Sequence, residues 1–441
     1  MIETVQSNSI PLKRTKSRRK PLVGAFVALL LFMFIYCARP EDWIPGLSNV
    51  PLAKVAGILA VLALAFSIQH IRQRMPGEVI YLALLIGQLF IAASLSSVWR
   101  GGAILTTLDF AKVLIVVLVM VVAVNSRERL ELLIVVQAAS VAIIAAVAIL
   151  KGHLMAGRLA GALGGIYSNP NDLALAIIVS APLCLALLFL TRSRVLKVAW
   201  VVALLVMLYA VFLTGSRAGF LSLLVAVCVC LWEFAIRGRK RYLLVLAFAG
   251  GVILWQSSSE MLAGRLMATF DSRQDVASAY ASSEQRQQLL WRSIEITEKH
   301  PLFGIGPGNF AEVSGSWLVT HNAYTQMSSE GGIPALFFYV LILWRGFKNA
   351  RVTKQLMKRK GEFCVLAKAL NASLAAYIVG SFFASSAYQF FPYLFVAYTT
   401  VVWLIAKKFA IEFAARKTAE QAIVADPIQP DSNVEILWGS S

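Results

Sequence analysis

Charged side chains are scarce in this chain: Asp, Glu, Lys and Arg make up 15% of its 441 residues. A soluble domain carries about 25%, so a soluble globular enzyme is excluded. Acidic residues are scarcer still, 23 against 41 Lys and Arg. That excess does not mark nucleic acid as a partner, because the basic residues sit in short clusters between apolar runs and form no binding stripe. Cysteine occurs five times, and Cys37, Cys184, Cys228, Cys230 and Cys364 all fall inside apolar runs. An odd number of embedded thiols is no disulfide framework, and one residue between Cys228 and Cys230 is the wrong spacing for zinc or thioredoxin-type chemistry. Histidine occurs four times. No cluster of His, Cys or carboxylates has metal-ligand spacing, so neither a metal nor another cofactor is expected. Gly304–Ile305–Gly306–Pro307–Gly308 lacks the strand-turn-helix context and final glycine of a nucleotide loop, and reads as a tight turn.

What is plentiful is hydrocarbon: 59% of residues are hydrophobic and the mean hydropathy is +0.72. Disordered chains are poor in such residues. Apolar runs lie at about 22–38, 50–69, 78–98, 103–124, 130–150, 172–190, 195–213, 217–236, 241–256, 332–346, 364–385 and 389–406. Runs near 20 residues match the bilayer core. The expected fold is an all-α polytopic integral membrane protein of about twelve transmembrane helices. Lys13, Arg14, Lys16, Arg18, Arg19 and Lys20 before the first run resemble the start of a signal peptide, but Tyr36–Cys37–Ala38–Arg39–Pro40 is a poor cleavage site. The stretch reads as a retained first span. Counted over alternate connections, Lys and Arg divide 28 to 10. The richer set is expected in the cytoplasm, with both chain termini.

The organisation that follows is a basic cytoplasmic N-terminus (1–21), nine spans (22–256), a large outer loop with short helices (257–331), three further spans (332–406) and a cytoplasmic tail (407–441). The stretch 257–320 is 64 residues long, and ordered loops of that length are usually functional. Ser282–Ser283–Glu284 has the form of a helix start. Leu289, Leu290, Ile294 and Thr297 then recur at helical spacing until Pro301 ends the pattern. There is no internal repeat and no pair of inverted halves.

Polar residues gather on the outer side in four segments. They are Arg158 to Gly161 with Tyr167 to Asp172; Thr214–Gly215–Ser216–Arg217; Arg286 through Trp291–Arg292 to Phe310; and His321–Asn322 through Glu330 to Pro334. Spans six, eight and ten would begin there, and a helix N-terminus is a ready anion site. Arg217 beside such a terminus suits phosphate or pyrophosphate, because its planar fork pairs with phosphate oxygens. The plainer reading is that Arg158 and Arg217 anchor helix ends at the interface. His321 heads a helix face made of Asn322, Thr325, Gln326, Ser329 and Glu330, and a histidine there suits proton abstraction near neutral pH. The plainer reading is again structural. His70, His153 and His300 sit in weaker positions.

Taken in order, these segments resemble the O-antigen ligase / O-antigen polymerase superfamily of bacterial glycan enzymes. The resemblance rests on Arg158 with Gly161, Asn169–Pro170–Asn171–Asp172–Leu173–Ala174, Leu213 to Gly219, His300 to Phe310, and His321–Asn322–Ala323–Tyr324 leading to Gly332–Ile333–Pro334. It spans about residues 150–345. Ala335 stands where the family often has glycine. The resemblance implies a C-type, all-helical membrane glycosyltransferase in the bacterial inner membrane. Such an enzyme moves a glycan from an undecaprenyl-diphosphate carrier to an acceptor hydroxyl on the periplasmic face, as in lipopolysaccharide assembly, without a metal. By the same resemblance Arg158 and Arg217 bind the diphosphate and His321 is the general base. Arg286 matches the loop arginine, with Arg292 and Arg265 as alternatives; Asn169, Asn171, Ser216 and Asn322 complete the substrate-binding set. Donor, acceptor saccharide or other hydroxyl, and membrane lipids are the implied partners. A polymerase joining lipid-linked repeat units shares the motifs.

A transporter or flippase would need charge at mid-membrane and paired broken helices. Lys54, Asp109, Lys112, Glu233 and Lys368 are the only candidates, and Asp109 and Lys112, three apart, can pair on one helix. A glycan-binding scaffold would keep the arginines and make His321 dispensable.

Overall fold

The computed structural model describes residues 22–47, 50–65, 75–152, 154–155, 158–160, 167, 169–238, 240–257, 276–315, 317–358 and 361–425. The basic N-terminus, His153, Gly161, Arg265 and the tail beyond 425 lie outside them. The twelve apolar runs fall on helices, each over most of its described residues. These are α1 (Val23–Ala38), α3 (Leu52–Ala65), α4 (Gly77–Ser94), α5 (Arg100–Ala123), α6 (Arg127–Lys151), α7 (Pro170–Leu190), α8 (Arg194–Thr214), α9 (Arg217–Cys230), α10 (Tyr242–Ser257), α13 (Ala323–Leu356), α14 (Glu362–Gly380) and α15 (Phe390–Ala425). Among the described residues nine are long and apolar enough to cross a membrane. The other three, α1, α3 and α10, have 16, 14 and 16 residues. The chain is an all-α polytopic membrane protein. Short helices α2 (Pro40–Trp43) and α12 (Phe310–Val313), the amphipathic α11 (Val276–Lys299) and a two-stranded antiparallel hairpin, β1 (Leu154–Met155) with β2 (Arg158–Leu159), complete the elements.

Helix α7 is the axle of the bundle, with 78% of its apolar window buried. It packs against α6, α8, α9 and α14. In a membrane such contact rests on close packing rather than on escape from water, and Ala174, Ala176, Ala181 and Ala186 are the small buried residues that permit it. Asn169 caps its start by accepting the Asn171 N–H at 2.9 Å, and Pro170 takes the first helical position, where a missing N–H costs nothing.

Two sequence expectations need correcting. The loop helix α11 begins at Val276, not near Ser282. Ala277, Ala279 and Ala281 are strong helix formers, so the turn before the serines is itself helical. The helix that carries the tenth apolar run likewise begins before 332. Helix α13 starts at Ala323 and is broken at Gly332, whose φ of 82° and ψ of 173° are non-helical. Its face of Gln326, Ser329 and Glu330 is buried inside the protein.

The break explains the Pro301–Gly308 turn. A helix interrupted at Gly332, with Pro334 following, leaves carbonyls without intrahelical partners, which is costly at membrane depth. The turn supplies them. Ile305 N–H donates to Ser329 O and Gly306 N–H to Glu330 O, both at 2.9 Å, while Ile333 N–H donates to Pro301 O at 2.8 Å. Gln88 on α4 pins the junction, its Nε2 reaching Leu302 O at 2.7 Å and Gly331 O at 3.0 Å. Gly304, at φ 62°, lies so close that a Cβ there would be 2.5 Å from Ser329 O. The tight turn expected from the glycines is thus also a backbone clamp on a broken helix.

Candidate functional site

At one end of the bundle, β2, the end of α8 and the starts of α7 and α9 are tied into one polar knot. The Arg158 guanidinium donates from Nε to the Thr214 carbonyl at 2.8 Å and from Nη2 to Asn171 Oδ1 at 2.7 Å. Ser216 Oγ donates to the same Asn171 oxygen at 2.7 Å and accepts the Gly219 N–H at 3.0 Å, which caps α9. Gly215, at φ 53°, makes the reversal between α8 and α9. These bonds hold Arg158 rigidly against backbone and amide. Ser216→Ala is expected to cost about 1 kcal/mol, the usual worth of such a cap; thermal unfolding of the purified variant measures it.

Arg217, the first residue of α9, is exposed. Arg286 projects from α11 and is partly buried. Among the described residues neither has a carboxylate within ion-pair distance. Burial and then the charge of Arg217 hold the Arg286 guanidinium below its usual range. Two cations coupled in this way, with no carboxylate partner among the described residues, favour an anion.

His321 completes the group. Its φ of 54° is a left-handed conformation, unusual outside glycine and often found at functional positions. The conformation is imposed from both sides. Ser385 Oγ accepts the His321 N–H at 2.7 Å and bonds the Thr320 hydroxyl at 3.1 Å. Asn322 Oδ1 then caps α13 through the Tyr324 and Thr325 N–H groups at 2.9 and 3.1 Å. Burial first, and then Arg286, push the imidazole below the ordinary histidine value of 6.5. At neutral pH it is therefore a free base.

Helix α11 reaches this group because it is docked on α13 and the turn. Leu289, Ile296, Ile305 and Phe310 form a small separate core, and Thr297 Oγ1 meets Ser328 Oγ at 2.9 Å.

The expected residues therefore divide. Arg158, Asn171 and Ser216 are brought together as a scaffold, and Asn169 and Asn322 are helix caps. Arg217, Arg286 and His321 are coupled electrostatically. Arg292 is not with them: six residues on, it points about 240° round the helix, pairs with Glu295 at 2.8 Å and reaches the Val313 carbonyl. Arg265 lies outside the described residues. Ser385 and Gln88 were missed by the sequence reading, since a lone Ser or Gln in an apolar stretch carries no local signal. Gln389, whose side chain hydrogen-bonds Asp172 of α7, was missed for the same reason.

The comparison with known families bears directly on this end of the bundle. Residues 202–340 match the O-antigen ligase family model. The O-antigen ligase match takes in Thr214, Ser216, Arg217, Arg286, His321, Asn322 and the break at Gly332, while Arg158, Asn169 and Asn171 precede it. A solved chain from work described as "Structural coordination of polymerization and crosslinking by a peptidoglycan synthase complex" is similar at 18% identity and a TM-score of 0.41, over 76% of this chain and 97% of that one. No curated protein matches the chain.

Proposed function

We propose that the chain is a membrane glycosyltransferase that moves a glycan from an undecaprenyl-diphosphate carrier to an acceptor hydroxyl, acting as a ligase at the periplasmic face of the inner membrane. The observation that carries this reading is the electrostatic coupling of two cations, Arg217 and Arg286, which have no carboxylate partner among the described residues, with a histidine kept neutral. In this reading the acceptor O–H proton passes to the His321 imidazole. The acceptor oxygen attacks the anomeric carbon, and the bond from that carbon to the diphosphate oxygen breaks with its electron pair on the diphosphate. Arg217 and Arg286 stabilise the charge that develops there, the kind of preorganised electrostatics that contributes most to such a step. Arg158 holds the starts of α7 and α9 in register, and α11 with the clamped turn covers the long substrates.

The O-antigen ligase match supports the ligase label; the same chemistry with a second lipid-linked glycan as acceptor would be polymerisation. A gel and a lipid extract from cells lacking the gene, with wild type or Arg217→Gln restored, distinguish them. Polymer that accumulates on its carrier and never reaches the acceptor marks a ligase. Single repeat units alone mark a polymerase. Normal glycan in both the deletion and the variant strain would defeat the proposal.

The two loop arginines give a sharper expectation. Arg286→Gln should lower transfer by about 10²–10³-fold, the usual loss for one transition-state donor, and Arg292→Gln should change it little. The base must be neutral, so activity falls as pH drops through the His321 pKa, which lies below 6.5. Removing Arg286 removes one cause of that depression, so the acid limb of the pH–rate profile should move upward in Arg286→Gln. An unmoved limb would separate the two residues.

A further inference from the structure

The opposite end of the bundle holds a second basic site, reached by following α9. From Arg217 to Glu233 is 16 residues, roughly 24 Å of helix. After Cys230 the helix continues as one π-helical stretch, Leu231–Ile236. Such stretches are rare and often functional. Here it carries Glu233, 5% exposed, in toward the end of α13, where Lys354 forms an ion pair with it. Between these helices and α14 lies a polar cavity of about 680 Å³ lined by Glu233, Arg237, Arg351, Lys354, Lys368 and Asn371.

The charges in this cavity do not balance. Four cations face one carboxylate, and that carboxylate is already paired with Lys354. Lys368 is 9% exposed, and among the described residues no carboxylate lies within ion-pair distance of Arg237, Arg351 or Lys368. Nearby aromatic rings give partial relief: the Lys368 ammonium lies 5.6 Å from the Phe234 ring and the Arg237 guanidinium 5.1 Å from Trp232. Burial together with the charges of Lys368 and Lys197 holds the neighbouring Lys240 amine below its usual range. A buried lysine and its neighbours repel one another here, and a bound anion would remove that cost.

We propose that this cavity is a binding site for a phosphate-bearing anion, separate from the arginine–histidine site at the other end of the bundle. The volume admits a lipid headgroup as well as a free di- or polyphosphate. Basic pockets between membrane helices bind acidic headgroups, and the exposed Arg237 and Arg351 stand at the mouth, where either would enter. The site's occupancy is independent of whether the first site transfers glycans.

Binding to the purified full-length protein in neutral detergent tests this, with phosphatidylglycerol and inorganic pyrophosphate as separate probes. The proteins compared are wild type, the mouth variant Arg237→Gln/Arg351→Gln, and Arg217→Gln as a control at the first site. Phosphatidylglycerol affinity that falls tenfold or more in the mouth variant and survives in Arg217→Gln identifies a lipid headgroup as ligand. The same pattern with pyrophosphate identifies a soluble anion. Lys368→Met, which removes the buried charge, should weaken the same probe and leave the protein folded. If neither probe binds wild type, if both bind the mouth variant equally well, or if binding is lost only in Arg217→Gln, the proposal is wrong.

Discussion

Replacing His321 by alanine is expected to lower glycan transfer by about 10²–10⁴-fold, the usual contribution of a positioned general base. The protein should remain in the membrane at near-normal level. The side chain lies at the head of α13, and the contacts that fix this turn use the backbone N–H of residue 321, the hydroxyls of Thr320 and Ser385, and the side chain of Asn322. None of them involves the imidazole. Alanine does add a small cost, since φ of 54° is poorly suited to it. Asparagine tolerates that conformation better, so His321→Asn isolates the chemistry: it should be as inactive as alanine and as stable as wild type. Transfer measured against membrane-protein level by immunoblot decides the matter. An active His321→Asn would remove the histidine from the reaction and leave a glycan-binding scaffold as the better account.

Gly332→Ala is expected to impair folding strongly. A Cβ at this position would lie 2.3 Å from the Leu302 carbonyl oxygen and 2.8 Å from the Phe303 nitrogen. Both are backbone atoms of the clamped turn, so no side chain can swing aside. The positive φ alone costs about 1–3 kcal/mol, and the clash adds to that by pushing the turn off Ser329, Glu330 and Ile333. Gly315 provides the control, because its φ of 78° is nearly the same and nothing lies within 4 Å of its would-be Cβ. Gly315→Ala should therefore show the conformational cost alone. Fluorescence-detected size exclusion and thermal unfolding of the two variants measure the difference. Equal losses would mean that the turn does not clamp the break.

Much of this architecture was legible because it is written locally. Each of the twelve apolar runs is a property of consecutive residues. The caps at Asn169, Ser216 and Asn322 are equally local, but the family resemblance placed those residues in the substrate-binding set. The coupling of Arg217, Arg286 and His321 was legible only through the family resemblance, for nothing in the 68 intervening residues joins positions 217 and 286. Three things stayed hidden for a physical reason. The clasp of Ser385 on His321 and the pin of Gln88 on the broken helix join residues 64 and 243 positions apart, and hydrogen bonds of that reach leave no periodicity. The break at Gly332 was masked because Gly331–Gly332–Ile333–Pro334 reads equally well as the start of a span. The π-helical stretch after Cys230 changes no residue type at all; it is visible only as geometry.

The clamped turn has a consequence for how this protein tolerates variation. Its grip on α13 uses main-chain atoms of residues 301, 305 and 306, and the residue 302 carbonyl takes the Gln88 pin from α4, while the Leu302 and Phe303 side chains are exposed at 62% and 37%. Selection on such an element would act on shape and hardly on side-chain chemistry: the exposed apolar letters ahead of Gly304 can be rewritten, and Gly304 cannot. A library randomised at 302 and 303 should thus yield many folded members, whereas one randomised at 304 should yield almost none but glycine.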